Sequence, residues 1–206
     1  MHAPRHLIRP AGPDDIPGIL SLVREAMSRY AADSGIPGVL PALGDTEASV
    51  LSFMETGLLL VAEDRHTGAL DGTIRLSVEG PGDEGPLGWI GRFAVRPSLQ
   101  RSGLGTRLFD AVEQEARRLG VRRIALHTAL SNPRLPAFYE ARGMRVVSVA
   151  HDRGYPRARF EKTLQAPGEV AATDTAGPTG PVPAAGPAPA AQAAGMAAPE
   201  QPAGGQ

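Results

Sequence analysis

The chain has 206 residues and no cysteine, which excludes disulfides, thiolate metal sites and a cysteine-based covalent intermediate. Lysine is almost as scarce: Lys162 is the only one, so a P-loop, which needs Gly-Lys followed by Ser or Thr, has nowhere to form. No apolar run approaches the roughly 18 residues of a membrane span, and Met1 to Pro10 hold no apolar stretch of signal-peptide length. A cytoplasmic protein is expected. The five histidines, His2, His6, His66, His127 and His151, show neither metal-ligand spacing nor a Ser-His-Asp arrangement, and no metal is expected. Charge of one sign is missing too. The net charge is −1, which argues for neither nucleic acid nor membrane as a partner and leaves a small or neutral one as the expectation.

With 42% hydrophobic residues the chain can bury one substantial core, and it is short for two domains. Composition changes sharply after Leu164. From residue 166 to Gln206 the chain is almost wholly Ala, Pro and Gly, and such a segment buries too little apolar surface to offset its ordering entropy. The expected organisation is a folded domain over 1–165 and a disordered tail over 166–206. The tail's charges are Glu169, Asp174 and Glu200, which leaves the remainder of the chain at +2.

Asp14 or Asp15 can cap a first helix whose apolar residues Ile16, Ile19, Leu20, Val23 and Met27 follow a 3.6-residue period. After the Gly35–Gly44 connection, Asp45 or Thr46 can cap a second helix through Val50, Leu51 and Met54. Leu58–Glu63 and Gly72–Val78 read as a hairpin, Gly80–Gly88 as a loop and Trp89–Val95 as a strand halted before Pro97. The next helix begins near Gly103, with a stripe of Leu104, Leu108, Val112, Ala116 and Leu119 and a stop at Gly120. Ile124–Thr128 follows as a strand. A strand, a helix of about fifteen residues and another strand form a βαβ unit, which places Trp89–Val95 and Ile124–Thr128 parallel in one sheet. A short helix ending at Gly143, then strands Met144–Val149 and Arg157–Leu164, complete six predicted strands.

The turn Gln100-Arg101-Ser102-Gly103-Leu104-Gly105 joins a strand to a helix N-terminus. Free backbone N–H groups and the helix dipole there favour an anion. Gly103 and Gly105 let backbone approach a phosphate, and Arg101 and Arg107 are nearby cations. A dinucleotide fingerprint is excluded, because it needs a third small residue where Leu108 stands.

The pattern Gln100-x-x-Gly103-x-Gly105 resembles the acyl-CoA loop of the GNAT N-acetyltransferases. The likeness extends to Ala94-Val95-Arg96-Pro97 before the loop and to Asn132, Tyr139, Glu140, Gly143 and Met144 after it, and it covers about Leu7 to Leu164. It implies an α/β fold: a mixed central sheet of six to seven strands, about four flanking helices, and a V-shaped splay between the two central parallel strands. It implies acetyl-CoA as acyl donor, an amine acceptor and direct transfer in a ternary complex. A homodimer is compatible with it, and a non-catalytic acyl-CoA-binding module of the same fold is the alternative.

By the same resemblance, Phe93, Ala94 and Val95 would lie along the pantetheine arm, with a bulge splaying that strand. Gln100, Arg101, Ser102, Gly103, Leu104, Gly105 and Thr106 would hold the pyrophosphate. Tyr139 would be the acid for the departing thiolate. Asn132 would bond the cofactor or cap the next helix, whose first turn would carry Pro136. Many members place a glutamate on the strand before the loop as general base, and Trp89 to Phe93 contain no carboxylate. The base candidates are then Glu63, Glu79, Glu84, His127 or a water chain. Acceptor determinants would come from Tyr30, Asp33, the Gly35–Gly44 segment and the His151–Tyr155 turn, with Tyr30 equally suited to the core.

Overall fold

The computed structural model describes residues 4–82 and 85–164. The predicted tail over 166–206 and Glu84 lie outside the described residues. Among these, the chain runs β1 (His6–Pro10), α1 (Ile16–Asp33), α2 (Glu47–Thr56), β2 (Leu58–Asp64), β3 (Leu70–Gly82), β4 (Gly85–Val95), α3 (Leu104–Arg118), β5 (Arg123–Ala129), α4 (Arg134–Glu140), β6 (Arg145–Ala150) and β7 (Arg157–Thr163). The strands form one sheet in the order β1-β2-β3-β4-β5-β7-β6. Every pair is antiparallel except β4 with β5, as expected for strands joined through a helical crossover.

Several local expectations are corrected. β1 was not predicted, because five residues with no clean alternation carry little signal; it gains its ladder only by pairing Leu7 with Glu63 and its neighbours on β2. Neither Asp14 nor Asp15 caps α1 by its side chain. Asp15 instead accepts from Gly12 N–H at 2.8 Å and pairs with Arg9. Thr46 does cap α2: its Oγ1 accepts from Ser49 N–H and the Ser49 hydroxyl returns the favour to Thr46 N–H. The predicted loop over 80–88 is shorter, since β3 and β4 extend until Gly82 pairs with Gly85. Leu119 lies past the end of α3 and stays exposed, while Phe109 takes the core position.

Alternation along the strands sends side chains to two apolar layers. On one side, Leu104, Leu108, Phe109, Val112 and Ala116 of α3 and Tyr139 of α4 pack on Ile74, Leu76, Ile124, Leu126 and Phe160. On the other, Ile16, Ile19, Leu22, Val23 and Ala26 of α1 and Val50 of α2 pack on Leu59, Val61 and Ala94. β6 forms the far edge and leaves Val146, Val147 and Val149 exposed. No helix among the described residues is long and apolar enough to cross a membrane.

The parallel pairing of β4 and β5 is short: only Leu87, Gly88 and Trp89 pair with Arg123, Ile124 and Ala125. Just beyond, the β3–β4 register shifts, with Thr73 opposite Ala94 but Arg75 opposite Gly91. One residue of β3 thus faces two of β4, a bulge that bends the strand and raises its twist. Arg92, inside the bulge, has φ +47°, a conformation that a non-glycine residue keeps only when its surroundings enforce it. The enforcing group is Asp45, just before α2. It is 9% exposed and accepts from Arg92 Nε at 2.7 Å and Nη2 at 2.8 Å, with Arg75 Nη2 at 3.3 Å. Asp45→Ala leaves two guanidinium groups facing each other without a counter-charge. It should lower stability by about 3 kcal/mol, read as a reduced midpoint in urea unfolding.

Candidate active site

Where β4 leaves β5, a gap opens through the sheet. The main chain of β5 loses its strand partner on that side, and Tyr30 of α1 takes over one position: Ala129 N–H donates to the Tyr30 hydroxyl at 2.9 Å. A buried N–H left unpaired would cost about 1–3 kcal/mol, so Tyr30 is part of the wall of the gap. Ser131 Oγ donates to Ser34 O at 2.5 Å a little further on, and a Cβ on Gly154 would stand 3.4 Å from Pro37. The α1–α2 connection and the β6–β7 turn therefore come together on the α1 side of the sheet, beside the opening between β4 and β5.

At the other mouth of the gap stands the glycine turn. Gly103 precedes α3 with φ +85°, and Arg101 has φ +66°. Ser102 N–H bonds Leu99 O, Leu104 N–H bonds the Ser102 hydroxyl, and Arg107 N–H begins the helical ladder on Gly103 O. The N–H groups of Arg101, Gly103, Gly105 and Thr106 have no partner among the described residues. Four unpaired donors at a helix N-terminus form an anion site. A Cβ on Gly105 would lie 3.5 Å from Phe93 and 3.7 Å from Val95, so this turn sits directly over the splayed part of β4, and glycine keeps the space between them open.

Of the two arginines predicted beside the turn, Arg107 is occupied, with Nη2 donating to His6 O at 2.9 Å. The missed cation is Arg142. Its guanidinium lies 3.5 Å from the centroid of Phe138, donates to Phe138 O at 2.8 Å and reaches the Thr106 hydroxyl. Its separation from the turn in sequence hid it. Asn132 Oδ1 accepts from Arg134 N–H at 3.2 Å in a turn just before α4, whose N-cap position is Pro133 without a side-chain cap, and Pro136 falls in that helix's first turn.

Tyr139 is 6% exposed, among Phe109, Phe138 and Phe160 with ring centroids 5.3–6.1 Å away. Its hydroxyl has no hydrogen-bond partner among the described residues. Burial, and secondarily the nearby Tyr30, push its pKa above the ordinary phenol value against the opposing effect of Arg142. It is fully protonated at neutral pH.

The four base candidates separate clearly. Glu63 is paired with Arg9 on the β1–β2 side, Glu79 lies exposed opposite Leu87 at the closed end of the β4–β5 pair, and Glu84 is outside the described residues. His127 stands at the splay, its ring stacked on Trp89 with centroids 5.2 Å apart. Although the residue is exposed overall, partial desolvation of its stacked ring lowers its pKa to about 4, helped by Arg157, Arg159 and Arg153 and opposed by Asp152.

A different cluster, His6, Asp64 and Asp71, brings three metal-capable side chains together. Arg5 and Arg96 each reach one of the carboxylates at 2.7 Å, and His6 bonds Asp71 at 2.9 Å, so the cluster forms an ion-pair network tying β1 to β3.

The overall fold is shared with several solved structures. The PaiA N-acetyltransferase of Thermoplasma acidophilum, in complex with coenzyme A, superposes with a TM-score of 0.65 at 18% identity, covering 77% of this chain and 99% of that one. The ribosomal-protein-S18-alanine N-acetyltransferase of Escherichia coli gives 0.61 at 19% identity, with 80% and 97% covered. The yncA protein of Salmonella typhimurium, with its cofactor acetyl-CoA, gives 0.62 at 18%, with 84% and 100% covered. No curated protein matches the sequence. The fold is that of the GNAT proteins. The Acetyltransferase (GNAT) family model matches residues 25–144, more than half of the chain, and the chain belongs to this family.

The field around His127 predicts its titration. By NMR its imidazole should stay neutral down to about pH 4, and Arg159→Gln should move the midpoint upward by removing a repelling charge. An unmoved midpoint would remove Arg159 from that field.

Proposed function

We propose that this protein transfers the acetyl group of acetyl-CoA to an amine, directly within a ternary complex. The observation that carries this reading is the placing of four unpaired N–H groups at the start of α3 over the splayed edge of β4. A diphosphate fits the first and an extended amide-bearing arm fits the second. Acetyl-CoA is the co-substrate, in keeping with the family and with the coenzyme A and acetyl-CoA held by its structural neighbours. On this reading Gln100, Arg101, Ser102, Gly103, Leu104, Gly105 and Thr106 hold the pyrophosphate, with Arg142 as an added cation. Phe93, Ala94 and Val95 line the arm, and Asn132 shapes the entry to α4.

The amine nitrogen attacks the thioester carbonyl carbon, a C–N bond forms and the C–S bond breaks. The nitrogen gives up a proton and the sulfur gains one. Tyr139 is the donor we assign to the sulfur. With its pKa raised by burial, complete transfer from the phenol is uphill, so its first contribution is a hydrogen bond to the developing thiolate. His127 is the proton acceptor best supported by position, acting directly or through water. The absence of a carboxylate from Trp89 to Phe93 favours one second reading, a module that binds acyl-CoA without turnover. Release of coenzyme A thiol on incubation with an amine panel separates the two.

Two substitutions test the reading. Gly103→Asp puts a carboxylate and a strained backbone at the anion site and should abolish acetyl-CoA binding in calorimetry; unchanged affinity sinks the assignment. Tyr139→Phe should lower kcat by roughly 100-fold or more while the Kd for acetyl-CoA changes little. Equal turnover would remove Tyr139 from the chemistry.

A further inference from the structure

The face of the sheet opposite α3 and α4 carries a row of residues that the proposed transfer does not use. Reading across the strands by register, Arg75 of β3 pairs with Gly91 of β4; then, across the gap, His127 of β5 pairs with Arg159 of β7. Ala129 and Arg157 form the next row. Arg157 and Arg159 are two residues apart, so both project from the same face, about 7 Å apart along the strand. Gly91 stands at the brink of the splay, and a Cβ there would meet nothing within 4 Å. This is the side from which an acceptor can approach a thioester held in the gap.

The donors on this face exceed its acceptors. Nε of Arg75, Arg157 and Arg159 and Nε1 of Trp89 are each buried without a hydrogen-bond acceptor among the described residues. Arg159 lies 4.9 Å from the Trp89 ring centroid and pairs with Glu161 on one side only. Arg157 has a single long contact, 3.5 Å, to an Asp152 that is itself 58% exposed. Arg75 is held 4.8 Å over Phe53 and has Asp45 as its counter-charge, shared with Arg92. Buried guanidinium N–H groups are satisfied in folded proteins as a rule, and several of them converging on one open face leave a place for an anion. The same charges repel an ammonium group that brings no anion of its own.

Resting on the acetyltransferase reading above, we propose that the acceptor is a small amine bearing a carboxylate, with the carboxylate bound by Arg157 and Arg159 and the amine at Gly91 and His127. The α1–α2 connection and the β6–β7 turn come together beside this opening and favour a short acceptor over a chain running through it. Lysine side chains and diamines, which offer only positive charge, are disfavoured.

Trp89 is the only tryptophan of the chain, and it reports on this face directly. The experiment uses the full chain saturated with coenzyme A and titrates it with α-amino acids, their primary amides and 1,4-diaminobutane, reading Trp89 fluorescence. A parallel arm reads thiol release with acetyl-CoA. The acids should bind and turn over roughly 10- to 100-fold better than the matching amides, the range that a hydrogen bond to a charged group supplies. Arg157→Gln and Arg159→Gln should each erase that preference and leave the Kd for acetyl-CoA unchanged, and Arg159→Lys should restore part of it. Equal use of acids and amides, preference for the diamine, or no Trp89 response to any carboxylate overturns the proposal. Failure of the chain to bind acetyl-CoA overturns the function proposed above instead, and the Trp89 titration, repeated without the nucleotide, still decides whether carboxylates bind here.

Discussion

The parting of β4 from β5 after Trp89 is the constraint on which the rest of the site depends. It begins with one extra residue in β4 opposite Ile74, and that residue's neighbour Arg92 occupies a left-handed conformation at a cost of roughly 1–3 kcal/mol. The Asp45 carboxylate offsets that cost by gripping both Arg92 and Arg75. Asp45 is available because Thr46, not Asp45, caps α2. A choice at one helix terminus thereby bears on the geometry of a strand some fifty residues away.

Once the strands part, the two faces of the sheet acquire different chemistry. Toward α3 and α4, Phe93 lies under a turn of unpaired N–H groups and Tyr139 sits in the aromatic core behind it. Toward α1, it opens beside Gly91 and His127 among arginines. Tyr30 bridges α1 to the abandoned edge of β5. Tyr139 is kept a phenol by burial, and the exposed His127 is kept neutral by partial desolvation of its ring and by its arginine neighbours. On the function proposed above, a protonated donor and an uncharged imidazole would serve a reaction in which one proton leaves nitrogen and another reaches sulfur.

The order of elements, the βαβ unit and the glycine turn were legible in the sequence because each rests on local periodicity or on a few adjacent residues. Leu104, Leu108, Val112 and Ala116 announce the buried stripe of α3, and Gly103 the left-handed entry to it. β1 was not legible, since its five residues become a strand only against β2. Arg142 was not legible as a neighbour of Thr106, nor Trp89 as the partner of His127, because those contacts join residues tens of positions apart. Asn132 could be read as a ligand or as a cap, and its bond to Arg134 N–H in the turn before α4 could not be told from the sequence.

By itself the sequence determined that this is a cysteine-free α/β chain of the GNAT pattern with an anion-binding turn, since hydrophobic period, glycine placement and motif spacing are properties of neighbouring residues. Only the tertiary structure decided where the sheet opens, that Tyr30 takes the Ala129 N–H there, that His127 stands beside the opening, and that Arg75, Arg157 and Arg159 share a face on which their Nε groups lack acceptors. Those outcomes depend on strand register and on charges brought together from distant segments, and neither is encoded in any single stretch of chain.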